Sequence, residues 1–121
     1  MIRRRRNSCL AVIEVLRRSF GDVRLNDVIA FLYVCENEGL NLSELIQLTG
    51  LSPSSASRAA RRLLPAGADF SLSPALGLLT LDVQTTDRRA RVLSLTDTGR
   101  ALRDEMNALI TTAVPIVPPH R

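Results

Sequence analysis

The chain has no tryptophan and no lysine, a single histidine, and only 3% aromatic residues. A core with so little aromatic bulk must be filled by Leu, Ile, Val and Ala, which suits packed helices better than a β-sandwich. The two cysteines, Cys9 and Cys35, lie in apolar stretches with no CxxC pair. That excludes a disulfide scaffold and a cysteine-held zinc site. The lone histidine, His120, stands in a Pro-rich tail, and no nucleophile–base pair, phosphate loop or isolated carboxylate pair stands out. Neither a cofactor nor enzymatic chemistry is expected. No apolar run approaches the ~20 residues needed to span a bilayer. Arg3–Arg6 ahead of the apolar stretch Cys9–Leu16 imitates a secretory leader. Glu14 interrupts that stretch, Arg17 and Arg18 follow it, and no small-residue cleavage site appears, so the expectation is a cytoplasmic protein.

What is present is one domain's worth of chain: 121 residues, 45% hydrophobic, with a formal net charge of +4. All 16 basic residues are arginine. Each guanidinium stays charged and can grip a phosphate or a guanine edge with two bonds. The decisive matter is where those charges sit.

Residues 1–7 read as a basic flexible leader, a solvated tail rather than a DNA-contacting arm. A first helix is expected from Ser8, its cap, with Leu10, Ile13, Leu16 and Phe20 on one face and a break at Gly21-Asp22. A second is expected from Asn26 to Glu38, ended by Gly39 in a left-handed conformation. Its middle, Val28–Cys35, is apolar all round, which predicts burial on more than one side.

The segment 43–64 carries the clearest signature. Ser43–Thr49 predicts a short helix, Gly50 permits a tight turn, and Ser52 caps a new helix whose first position is Pro53. Leu45, Leu48 and Leu51 supply apolar contacts between the two. Helix, short Gly-containing turn and Ser-Pro start define a helix-turn-helix. The second helix, Pro53–Leu64, carries Arg58, Arg61 and Arg62 and no acid, and opens with Ser54, Ser55 and Ser57. Small polar side chains let a helix sit deep in a major groove while arginines reach bases and phosphates. The alternative is a solvated helix with an arginine face.

Pro65, Gly67, Ser71, Ser73 and Pro74 then mark an irregular stretch. Leu79, Leu81 and Val83 alternate with polar residues, as do Val92–Leu95, around a polar turn. The pattern predicts a β-hairpin wing over 78–96, with Arg88, Arg89 and Arg91 at its tip. A last helix is expected over 97–113, capped by Thr96 or Asp97, with Leu102, Met106, Leu109, Ile110 and Ala113 on its apolar face. A Pro-rich tail, 114–121, follows.

A helix-turn-helix followed by Asp87-Arg88-Arg89-Ala90-Arg91-Val92-Leu93-Ser94-Leu95-Thr96-Asp97-Thr98-Gly99 resembles the MarR family of bacterial transcription regulators. The family's wing reads D-x-R, then L-x-L-T, then G, and Asp87, Arg89, Leu93, Leu95, Thr96 and Gly99 fall on it. The resemblance runs over about residues 25 to 110. It implies a mainly α fold with a small β-hairpin (α+β), a winged helix-turn-helix with N- and C-terminal helices for dimerisation. It also implies double-stranded DNA as partner, a homodimer, a small aromatic or phenolic effector between dimer arms and DNA-binding lobes, and no membrane. By the same resemblance Arg89 enters the minor groove, Asp87 orients the wing, and Ser54, Ser55, Ser57 and Arg58 read the major groove. A narrow minor groove attracts a guanidinium, and a nearby carboxylate can hold it in position.

Two departures stand out. Ala68–Gly77 is extra to the family pattern, and the chain reaches Arg121 where members usually continue into a further dimerisation helix. The first and last helices are then expected to supply the interface. The family's organic-hydroperoxide sensors keep a reactive cysteine on the first helix among tyrosines. Here Tyr33 is the single tyrosine, so Cys9 and Cys35 read as small buried hydrophobes. Alternatives to a transcription regulator are a winged-helix protein-interaction module and a plasmid or phage replication or partition factor.

Overall fold

The structure is a computed structural model that describes residues 6–83 and 91–118. In chain order its elements are α1 (Ser8–Phe20), α2 (Leu25–Glu36), α3 (Leu42–Thr49), α4 (Pro53–Arg62), β1 (Leu79–Val83), β2 (Arg91–Leu95) and α5 (Asp97–Thr111). They fall into two compact units, one of Arg24–Ala101 and a terminal one that joins Met1–Val23 to Leu102–Arg121.

The larger unit is built around α2, whose Ala30, Phe31 and Val34 are buried. Leu25 and Leu32 of the same helix stay exposed, so burial is less complete than its apolar run suggests. α2 stops at Glu36, before the expected Glu38. Gly39, at φ 92°, lies in the turn beyond it and delivers Leu40 to an antiparallel bridge with Leu93.

α3 begins earlier than expected because Asn41 forms a capping box with Glu44: each side chain bonds the other's backbone N–H. Its end is set by Gly50, which adopts the left-handed conformation at φ 70°. Ser52 then caps α4 by accepting from the Ser55 N–H, and Pro53 occupies the first turn. The buried side of α4 is alanine-rich, with Ala56, Ala59 and Ala60. Small side chains there let it lie close to α2 and α3.

The stretch from Leu64 to Leu78 folds back on the end of α4. Leu72 N–H donates to Arg61 O, Leu76 N–H to Arg62 O, and Leu78 N–H to Leu63 O. β1 and β2 then pair antiparallel, from Leu79 opposite Leu95 to Val83 opposite Arg91. Thr96, one of the two expected caps, holds the start of α5: its hydroxyl donates to Gly77 O at 2.6 Å and accepts from Gly99 N–H at 3.0 Å. Glu38 joins this corner by accepting from the Leu95 N–H at 2.9 Å and from Arg100.

In the terminal unit Asn7, rather than Ser8, caps α1. Ser8 instead meets Val114 twice, its N–H donating to Val114 O and its hydroxyl accepting from Val114 N–H. The buried residues here are Val15, Leu16, Leu102 and Met106. Leu10, Ile13 and Ile110, expected on inward faces, are exposed. Cys9 corrects another expectation, being exposed on α1, while Cys35 on α2 is half-buried. Among the described residues no helix is long and apolar enough to cross a membrane.

Candidate nucleic-acid interface

Helix geometry sorts the polar residues of α4. Ser54, Ser57, Arg58 and Arg61 recur at i, i+3, i+4 and i+7, which places them on one face. Ser54 and Arg58 are exposed, Ser57 and Arg61 half-buried. The hydroxyl of Ser55 is already engaged by Ser52 Oγ at 2.9 Å. Among the described residues Arg58, Arg61 and Arg91 enter no ion pair.

Arg62 departs from its expected place beside them. It is buried, and its Nε and Nη2 donate to Asp27 of α2 at 2.8–3.1 Å. An arginine spent on a buried carboxylate is a structural tie between α2 and α4, not a hand held out to DNA. It correspondingly removes one positive charge from the exposed set.

Two hollows flank the exposed stripe. One, of about 330 Å³, is polar and lined by Arg24, Leu25, Asn26, Ser55, Arg58 and Arg62. It brings Arg24 beside Arg58, a neighbour that α4 alone did not reveal. Arg24 stands at the start of α2, which has no side-chain cap. Uncapped backbone N–H groups and adjacent guanidiniums suit a phosphate. The other hollow, about 320 Å³, is mainly apolar and lies among α3, α4, the hairpin and the fold-back segment. Ser57, Arg61, Phe70 and Arg91 meet around it. Sequence reasoning missed Arg24 and Phe70, because neither lies in a local motif and each is brought to α4 by the chain's return.

Arg91, which opens β2 opposite Val83 at the loop end of the described strands, is thus near α4's arginine face. Asp87, Arg88 and Arg89, the rest of the expected wing tip, lie outside the described residues, as does His120.

Taken together, two antiparallel strands after a helix-turn-helix, with α5 closing the corner, define a winged helix. No family model matches the chain, and no curated protein sequence matches it. Solved structures do. A MarR transcriptional regulator from Methanosarcina mazei Go1 superposes with TM-score 0.62 at 15% identity, covering 84% of this chain and 64% of that one. CouR from Rhodococcus jostii RHA1, bound to p-coumaroyl-CoA, gives TM-score 0.61 at 25% identity over the same shares. The transcriptional repressor CouR bound to a 23-mer DNA duplex gives 0.58 at 22%, covering 88% and 69%. The fold is therefore a MarR-like winged helix. The chain spans 64% of the length of the first of these.

Proposed function

We propose that the chain is a double-stranded DNA-binding transcription regulator working as a homodimer. Each protomer lays α4 in a major groove and sends hairpin arginines, Arg89 above all, into the flanking minor groove. The observation that carries this is the stripe Ser54, Ser57, Arg58 and Arg61, exposed at Ser54 and Arg58 and half-buried at Ser57 and Arg61, on a helix with no carboxylate and with Arg24 and Arg91 to either side. Small hydroxyl side chains allow close approach to base edges, and the guanidiniums supply phosphate and guanine contacts. The likeness to a repressor structure that contains a duplex supports the same reading. A neighbour bound to p-coumaroyl-CoA supports a small-molecule effector as well. Two protomers would place their α4 helices about one helical turn, ~10 bp, apart.

The test is fluorescence anisotropy against the DNA upstream of the protein's own coding sequence. A dimer that neutralises roughly 6–10 phosphates loses ~10³–10⁵ in affinity between 50 and 200 mM salt. Arg58→Ala and Arg89→Ala each weaken binding and flatten that salt slope by about one. Retention of full binding in both variants overturns the docking mode. An affinity indifferent to salt overturns the nucleic-acid reading itself.

A further inference from the structure

The fold-back segment between α4 and the hairpin ends its outward reach at Phe70, an exposed aromatic with φ +67°. That left-handed conformation is unfavourable for a bulky side chain and is held by its surroundings. The segment is pinned on both sides of it: Ser71 N–H donates to Ala68 O, and Leu72 N–H to Arg61 O. From this position Phe70 faces two arginines at once. Its carbonyl accepts from Arg61 Nε at 2.8 Å. Its ring lies under the guanidinium of Arg91, 4.9 Å from the centroid.

Two guanidiniums lining one hollow repel each other unless something negative lies between them. Here no carboxylate among the described residues pairs with either. A carbonyl oxygen and the negative face of an aromatic ring do that work instead. Both are partial charges, so they orient the arginines without neutralising them. Among the described residues nothing else offsets this positive charge.

We propose that Phe70 is a positioning residue for the DNA-binding face: it sets Arg91, at the start of β2, at a fixed place relative to Arg61 on α4. Backbone anchoring of the segment to α4 makes Phe70 part of that helix's frame, and the ring extends the frame to β2. The inference rests on the DNA-binding reading above.

A double-mutant cycle in the same anisotropy assay tests it. Phe70→Leu keeps apolar bulk and the same backbone demand but removes the π face. It weakens DNA binding about two- to fivefold, the fold-change of an exposed cation–π contact. Phe70→Trp restores it. In an Arg91→Gln background Phe70→Leu costs nothing further, because the ring acts through that guanidinium. In NMR spectra of the DNA-free protein the Arg91 Nε–H proton lies upfield under the ring current and moves downfield in Phe70→Leu. Equal losses in both backgrounds, an unmoved Arg91 signal, or wild-type affinity in Phe70→Leu each overturn the proposal while leaving DNA binding intact. Absence of DNA binding by the wild type overturns both readings together.

Discussion

Arg62 and Asp27 show how one residue's role depends on a partner far along the chain. Their side chains are 10% and 2% exposed, so solvent screens the pair little. Three hydrogen-bond contacts within 3.1 Å satisfy the carboxylate from one guanidinium edge. Removing either partner leaves a buried charge uncompensated, which typically costs ~3–5 kcal/mol. Arg62→Ala and Asp27→Ala are each expected to lower unfolding stability by about that amount in urea titrations. The two losses together should fall well short of additive, since the second change removes the orphan left by the first. Replacement of both by apolar residues of similar volume should recover much of the stability. If Arg62→Ala melts like the wild type while DNA affinity falls, Arg62 belongs on the interface and the structural tie assigned here is wrong.

At the scale of elements, the start of α5 comes into close backbone contact with the segment leading into β1. Gly99 stands in the first turn of α5, and a Cβ there would lie 2.1 Å from the carbonyl oxygen of Leu78. Leu78 O is not free to retreat, because it also accepts from Thr96 N–H at 3.0 Å. The requirement is close backbone approach rather than backbone conformation. Gly99→Ala is therefore expected to destabilise by ~1–3 kcal/mol or more through overpacking. A thermal melt within a degree of wild type would mean that α5 shifts at no cost.

That glycine, with Leu93, Leu95 and Thr96, was legible in the sequence as part of a spaced motif, although its steric reason was not. The helix-turn-helix was legible because its signals are local: Gly50 turns, Ser52 caps and Pro53 starts, all within a few residues. Cap choice was less so. Asn7 and Ser8 are both capping residues side by side, and the Ser8 hydroxyl is taken up in accepting from the Val114 N–H, far along the chain. Nothing local could reveal that Arg62 turns inward, since Asp27 lies 35 residues earlier. The course of residues 64–78 was equally hidden, because backbone hydrogen bonds to α4 hold it and these carry no side-chain signature. Phe70 was lost with it.

At the scale of the whole molecule, the terminal unit poses the remaining physical question. Ile13 and Ile110 are more than half exposed, and Leu10, Ile116 and Val117 of the same unit are also left to solvent. Buried apolar area stabilises by ~25 cal/mol per Å², so a unit that leaves this much uncovered gains from a partner. A second copy of the chain is the partner that also suits DNA recognition, since paired half-sites mirror a two-fold dimer. Sedimentation velocity should then show a dimer for the wild type and a monomer for the Ile13→Glu, Ile110→Glu double variant. Both positions are exposed in the protomer, so the fold of the winged unit and its melting should survive the change. DNA affinity should not survive it. Joining two binding heads raises affinity by ~10²–10⁴ over one alone, and the monomer forfeits that gain on a two-half-site duplex while binding a single half-site as the wild-type head does. A wild type that sediments as a monomer yet binds the full site tightly would break the link between these exposed isoleucines and recognition.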